Sequence, residues 1–258
     1  MDYEEILFSR NRSVGYLTLN NPGKINALSR RMIQEIIHLL TEISQDESVK
    51  VIVIKAAGKH FCAGHFLAEM VDAGVKEYKA IFDQCTRMMM MLHEIPQPVI
   101  AQVQGIATAA GCQLAAWSDL VVAADNARFS TPGVKIGLFC TTPMVAITRA
   151  IGRKAAMEML LTGRQIPAAE AKALGLINRV VPLDALEAET TQLADQIAQA
   201  SGFALAIGKQ GFYAQADMTD AQAFHYAKQT IVMNNCSEDA QHGITAFLEK
   251  TAPEWKNR

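Results

Sequence analysis

The sequence has few cysteines and no excess of charge of either sign. Its 258 residues include five cysteines, and none stands in a Cys-x-x-Cys pair or at the Cys/His spacing of a metal site, so no metal is expected. An odd number of scattered cysteines is typical of reduced thiols in a cytosol-like compartment. The net charge is −2 with dispersed Lys and Arg, which gives no support to binding of nucleic acid or of a membrane surface.

Long apolar runs and a leader are also missing. No stretch of 18 apolar residues is present, so no transmembrane helix is predicted. The segment 1–5 is acidic and lacks an apolar core, so no signal peptide is predicted and a cytoplasmic location is expected. Half of the residues are hydrophobic, and a chain of this length can bury a sizeable core.

The order of the apolar patterns predicts an α/β fold whose last part is helical. A hairpin is predicted over 6–20 with Asn11 to Ser13 in its turn, and apolar runs at 51–54, 98–103 and 120–124 are typical of buried strands. Helical periodicity between these runs favours a parallel sheet. From Pro143 onward the pattern is almost wholly helical, and we expect that region to supply subunit contacts.

Two segments of small residues indicate a site for an oxyanion. One is Thr108–Gly111, which follows the run 98–103, and the other is Phe61–His65. If both face one pocket, each supplies one backbone N–H to a carbonyl oxygen that gains negative charge. The alternative is that small residues only let a helix pack closely on a strand. Composition favours neither interpretation.

Nine short motifs spread over nearly the whole chain carry a family resemblance: Asn21–Leu28, Phe61–Leu67, Gln104–Ala115, Ser118–Asp119, Arg153–Met159, Leu161–Gly163, Ala169–Ala171, Gly175–Leu176 and Gly243–Phe247. In these motifs the chain resembles the enoyl-CoA hydratase/isomerase family, also called the crotonase superfamily. Within it, the runs 107–114 and 137–140 are most similar to the enoyl-CoA hydratase domain-containing protein 3 subgroup. The resemblance implies an α/β spiral of ββα repeats over residues 1–200, which carry the ligand site. It also implies a helical oligomerisation region over 201–258 and assembly as trimers or hexamers.

The resemblance further implies a coenzyme A thioester as substrate or ligand, with no permanently bound cofactor. The family's two oxyanion donors match the backbone N–H groups of His65 and Ala110, and the imidazole of His65 is then expected only to form a wall. The other residues expected to border the ligand are Lys24, Asn26, Ala27, Ala63, Gly64, Gly133, Cys140, Thr141, Phe247 and Lys250.

The acids that this family uses are replaced. The two glutamates of its hydratases match Gln113 and Gly133, and a third position, acidic in several isomerases, matches Thr141. Between positions 105 and 157 the only carboxylates are Asp119, interpreted as structural, and Asp125, interpreted as a turn residue. The Gln113 amide can position substrate or water but is not a base. Ordinary hydration of a 2-enoyl thioester is therefore expected to be weak or absent.

The sequence is compatible with three functions. The first is a coenzyme A thioester enzyme, nominally a lyase or isomerase, that stabilises an enolate. The second is a non-catalytic acyl-CoA-binding protein. The third is a thioesterase with Cys140 as nucleophile and His65 as a possible base, for which the alternative is a buried structural thiol.

Overall fold

The computed structural model describes residues 3–258, and within that range it contains two β-sheets and ten α-helices. Met1 and Asp2, which begin the acidic N-terminal segment, lie outside the described residues. The strands are β1 Ile6–Asn11, β2 Val14–Leu19, β3 Val51–Ala56, β4 Val99–Val103, β5 Ile106–Thr108, β6 Leu120–Ala124, β7 Arg128–Ser130, β8 Ile166–Pro167 and β9 Arg179–Val181. The helices are α1 Arg30–Ser44, α2 Val75–Glu94, α3 Ala110–Ala116, α4 Thr141–Ala150, α5 Arg153–Thr162, α6 Ala168–Leu174, α7 Leu186–Ala198, α8 Gly202–Gln215, α9 Asp220–Asn235 and α10 Glu238–Glu249.

The larger sheet has the strand order β1-β2-β3-β4-β6-β9. Its first two strands form the predicted antiparallel hairpin, with Arg12 at φ +52° in the turn. Asn11 was predicted in that turn, but it is the last residue of β1 and pairs with Val14. The other pairs in this sheet are parallel, as the continuous apolar runs predict.

The smaller sheet contains β5, β7 and β8, and the sequence pattern does not predict it. Strands of two or three residues are too short to show an alternation of polar and apolar side chains. For the same reason the pattern does not show β8 and β9, the two short strands in the region after Pro143, which is otherwise helical as predicted. As a consequence, β4 does not lead directly into α3. The short strand β5, which pairs in parallel with β7, lies between them.

Apolar layers cover both faces of the larger sheet, which explains the unbroken β-branched sequence of β3. Ile52 and Ile54 pack into the main core, which includes residues of α1 and α2. Val51 and Val53 point to the opposite face and pack against α7. Ser29 is the N-cap of α1, since its hydroxyl accepts the N–H of Met32 at 3.0 Å.

A buried ion pair joins α8 to this core. The Nζ of Lys209 lies 2.8 Å from Asp119 and donates to the carbonyl oxygens of Leu92 at 2.6 Å and Gln97 at 2.7 Å. The hydroxyl of Tyr213 donates to the other Asp119 oxygen at 2.6 Å. Asp119 also accepts the first N–H of β4. The interpretation of Asp119 as a structural residue is therefore confirmed.

Replacing Lys209 with methionine is expected to lower the free energy of unfolding by about 3 kcal/mol or more, because the Asp119 carboxylate and two carbonyl oxygens lose a buried donor. Urea denaturation followed by circular dichroism measures the loss. The matched control is Lys79→Met, which removes an exposed ion pair to Asp83 on α2 and is expected to cost about 0.5 kcal/mol or less. Equal losses in both variants would contradict the account.

Candidate functional site

The two predicted loops are held together by backbone pairing. The N–H of Leu28 donates to the carbonyl of Gly64 at 2.7 Å, and the N–H of Phe66 returns a bond to Leu28 at 3.1 Å. On the other side, the N–H of Cys62 donates to Ile106 at 3.0 Å, beside a parallel bridge between Cys62 and Ala107. The loop 61–66 therefore forms a layer between the loop before α1 and strand β5.

The loop 61–66 also touches the first turn of α3, and two glycines permit this approach. A Cβ on Gly111 would lie 2.3 Å from the carbonyl oxygen of Cys62. A Cβ on Gly64 would lie 3.0 Å from the nitrogen of Ala110, and Gly64 has φ +88°. A side chain at either position would push the two loops apart, so glycine is what allows them to meet.

The N–H groups of His65 and Ala110 are left without an acceptor. Neither group donates a hydrogen bond within residues 3–258. Ala110 is the first residue of α3, so its N–H has no partner inside the helix. Leu28 forms its two hydrogen bonds with Gly64 and Phe66, the neighbours of His65, and leaves the His65 N–H free. Ala109 precedes the second donor at φ 51° and ψ −120°, a backbone region that alanine rarely adopts. Its own N–H is held by the carbonyl of Ser130 at 2.9 Å. The carbonyl of Ala109, which shares a peptide unit with the Ala110 N–H, accepts the N–H of Gln113 at 3.0 Å, and this bond fixes the peptide that carries the donor.

The imidazole of His65 is half-buried and neutral. Burial lowers the pKa of His65 to about 4, and its Nε2 atom has no hydrogen-bond partner within residues 3–258. The ring meets Phe82 of α2 edge to face, with 5.2 Å between ring centroids. Because the nitrogen is uncharged and a weak base, the ring fits the predicted role of lining the ligand site better than that of a proton acceptor.

Two further polar side chains near Ala109 lack partners. Gln113 follows one helical turn after Ala109, with a backbone bond of 3.0 Å between them, and its Oε1 atom is buried without a donor in the described part of the chain. Thr131 follows Ser130, which binds Ala109, and its hydroxyl is likewise unpaired and fully buried. Buried polar atoms normally have hydrogen-bond partners, so both atoms have unused capacity for a ligand or water. Sequence reasoning missed Thr131, although a threonine directly after a strand was a visible signal.

The position of the second family acid is closed by its surroundings. A Cβ on Gly133 would lie 2.9 Å from the Sγ of Cys140 and 2.9 Å from the carbonyl oxygen of Leu138. The loop is held in this form because the N–H of Leu138 donates back to Gly133 at 2.9 Å. A glutamate at position 133 would therefore require the loop to shift. The packing of Cys140 and the carbonyl of Leu138 therefore leave no room for a side chain at position 133 in this form of the loop.

Cys140 is buried and has little nucleophilic character in this arrangement. Burial raises its pKa, and the N–H of Gly133 only partly opposes that shift. The thiol is therefore protonated at neutral pH. His65 is a weak base, and no hydrogen bond joins it to Cys140 within residues 3–258.

The residues expected to border the coenzyme lie in the loop before α1 and beside it. Ala63 donates its N–H to Ile25 at 3.0 Å, which ties its loop to this segment, and Ala27 is buried. The Nζ of Lys24 lies 4.2 Å above the ring of Phe66, where it remains exposed. Lys24 is therefore the one side chain of this group that presents charge to solvent.

The side-chain amide of Asn26 forms its hydrogen bonds with other groups of the protein. It is fully buried, donates to the carbonyl oxygens of Ala57 and His60 at 2.9 and 3.0 Å, and accepts the N–H of Asn21 at 2.8 Å. This network holds Asn26 at φ 50°. Only the shape and the backbone of this loop remain for a ligand, so a side-chain contact from Asn26 is not to be expected.

The remaining predicted residues lie further out. Thr141 is exposed at the start of α4. Phe247, which is 82% exposed, and Lys250 lie at the end of α10, which packs mainly against α8 and α9. The structure therefore brings His65, Ala110 and Gln113 together with the loop before α1, whereas Gly133 lies beside Cys140 and neither Phe247 nor Lys250 joins this group.

Neither carboxylate between β4 and α5 substitutes for the missing acids. Asp119 is bound to Lys209 and Tyr213. Asp125 is exposed in the turn between β6 and β7, as interpreted from the sequence. No group of three or more His, Cys, Asp or Glu residues that would hold a metal ion occurs within residues 3–258. In the same range, no helix combines the length and the apolar character that a membrane span needs.

Comparisons with known proteins agree on one family. The model of the enoyl-CoA hydratase/isomerase family matches residues 9–258. A mouse protein named enoyl-CoA hydratase domain-containing protein 3, mitochondrial, is 44% identical over 242 residues, which are 93% of this chain and 81% of that protein. The crystal structure of the human protein of that name has a TM-score of 0.96 and 41% identity, over 98% of this chain and 100% of that one. A crystal structure of an enoyl-CoA hydratase from Mycobacterium smegmatis has a TM-score of 0.96 and 45% identity, over 98% and 99%.

These comparisons confirm the predicted α/β fold class and the resemblance to the domain-containing protein 3 subgroup. They give no support to the expected cytoplasmic location, because the name of the mouse protein includes the word mitochondrial. The roles of individual site residues remain predictions.

Proposed function

We propose, from the premise that the chain belongs to the enoyl-CoA hydratase/isomerase family, that it binds an acyl-coenzyme A thioester at the two unpaired N–H groups of His65 and Ala110. The observation that carries the proposal is that both donors are free while the loops around them are fixed by backbone bonds. Donors held in place before the ligand arrives need no reorganisation to bind a carbonyl oxygen. A coenzyme A thioester is then the substrate or ligand, and the site needs no permanent cofactor.

The chemistry that this site supports is polarisation of the thioester carbonyl and stabilisation of an enolate. Removal of a single oxyanion donor costs about 3–4 kcal/mol in a well-studied protease, so two fixed donors supply a large part of the catalytic effect without any acid or base. Gln113 adds an amide with an unpaired oxygen that positions acyl group or water. It does not remove a proton near neutral pH.

Ordinary hydration of 2-enoyl thioesters is proposed to be weak or absent. Gln113 and Gly133 replace the two glutamates, and a side chain at 133 meets Cys140. A positioned acid or base contributes about 10²–10⁴-fold, so a site without either is slow at this reaction. Membership of the family still makes a lyase or isomerase of fatty acyl-CoA metabolism the nominal class.

The second candidate is a non-catalytic acyl-CoA-binding protein, and the same missing acids favour it. The thioesterase alternative has less support, because burial keeps the Cys140 thiol protonated and His65 is a weak base. A covalent acyl-enzyme that disappears in Cys140→Ser would reverse that order.

Self-association as a trimer or hexamer belongs to the same proposal. The three last helices expose a set of large apolar side chains that a lone chain would leave in water, which is typical of an interface between subunits. These residues are Phe212, Phe224, Ile231, Val232, Met233, Ile244, Phe247 and Leu248. In such an assembly, Phe247 and Lys250 approach the coenzyme bound by a neighbouring chain.

The Gly64→Ala variant is expected to weaken binding of butyryl-CoA about tenfold, because its Cβ would stand 3.0 Å from the Ala110 nitrogen and cover that donor. Isothermal titration calorimetry measures the affinity. The matched control is Gly175→Ala: its φ of +89° equals that of Gly64 within a degree, but its Cβ meets only a carbonyl oxygen at 3.5 Å at the end of α6. Equal affinity in both variants would contradict the assigned donor.

The Gln113→Glu variant is expected to hydrate crotonyl-CoA about 10²-fold faster than the wild type, because it returns one carboxylate beside the oxyanion donors. Loss of the enoyl absorbance at saturating substrate gives the rate. Gln113→Ala, which removes the positioning amide without adding an acid, should stay at or below the wild-type level. Fast hydration by the wild type would show that another residue acts as the base.

A further inference from the structure

The segment 251–258 runs back along α10. At Lys250 the backbone adopts φ +58°, and the N–H of Thr251 donates to Ala246 at 2.9 Å, which reverses the chain. The segment then reaches the first turn of α10, where the N–H groups of Lys256 and Asn257 donate to the carboxylate of Asp239 at 2.7 and 3.0 Å. The N–H of Asp239 in turn donates to the carbonyl of Arg258 at 3.0 Å.

The same segment holds the joint between α7 and α8, residues 199–202. The indole Nε1 of Trp255 donates to the carbonyl of Gln199 at 2.6 Å, and the side-chain oxygen of Asn257 accepts the N–H of Gly202 at 2.9 Å. Ser201 donates to Asp239 at 2.5 Å. One continuous set of hydrogen bonds therefore joins the start of α10, the joint and the segment 251–258.

These hydrogen bonds hold α10 in place although few of its side chains are buried. Only two residues of α10, Asp239 and Ala246, are buried, so apolar burial alone does little to fix the helix. The ring of Trp255 lies against Gly243, where a Cβ would come within 3.0 Å of it. Asp239 is 2% exposed, which makes its hydrogen bonds costly to break.

We propose that the segment 251–258 is a strap that fixes α10, and that Asp239 and Trp255 are positioning residues for Phe247 and Lys250. This inference rests on the proposed function, in which Phe247 and Lys250 approach the coenzyme. Phe247 lies four residues from Gly243 on α10, and Lys250 forms the turn from which the strap begins. A loosened strap would therefore release the end of α10 without altering the oxyanion donors.

The test uses the full chain and two variants: Asp239→Asn, which keeps the side-chain size but weakens the carboxylate acceptor, and Trp255→Phe, which keeps an aromatic ring but removes the donor to Gln199. Hydrogen exchange measured by mass spectrometry should show amides 244–250 exchanging about tenfold faster in either variant, while amides 106–116 stay unchanged. The affinity for butyryl-CoA should fall about fivefold in the same variants. The control Glu254→Gln, at an exposed strap residue, should change neither quantity.

Unchanged exchange in Trp255→Phe, which keeps most of the packing, would overturn the strap. Faster exchange with unchanged affinity would overturn the positioning role of Asp239 and Trp255. Absence of butyryl-CoA binding by the wild type would instead refute the proposed function and the positioning role, while the exchange comparison would still decide on the strap.

Discussion

The backbone pairing of the loop 61–66 with its two neighbours is the constraint on which the rest of the site depends. Leu28 binds it on one side and Ile106 on the other, and Gly64 and Gly111 let it approach the first turn of α3. Because these contacts are made by main-chain atoms, they do not depend on which acids or bases the site carries. The two free N–H groups therefore keep their positions whatever side chains stand at 113 and 133.

The polar groups around that pairing separate structural from functional roles. Asn26 and Asp119 have their hydrogen-bonding capacity filled by the protein. Gln113, Thr131 and His65 keep buried polar atoms without partners in the part of the chain that the structure describes. Unused capacity next to two free N–H groups is the physical basis for placing a ligand there, because burying such groups unpaired costs free energy.

Much of the fold and of the site is predictable from local patterns, and the remainder is not. The unbroken apolar run at 51–54 predicts a buried strand, which is confirmed because apolar layers cover both faces of β3. Strands β5 and β7 escape prediction because three residues carry no periodicity. Contacts between segments that are not adjacent in the sequence cannot be predicted from local patterns either. Nothing local in the sequence shows that Cys140 fills the space beside Gly133.

Two main-chain donors are proposed to polarise a thioester carbonyl in a site without acids. The most direct measurement is infrared difference spectroscopy of butyryl-CoA that carries ¹³C at the thioester carbonyl, recorded free and bound to the protein. The account predicts that the carbonyl band moves to lower frequency on binding, because hydrogen bonds from His65 and Ala110 weaken the C=O bond. A band that keeps its free position when the protein is saturated would contradict it.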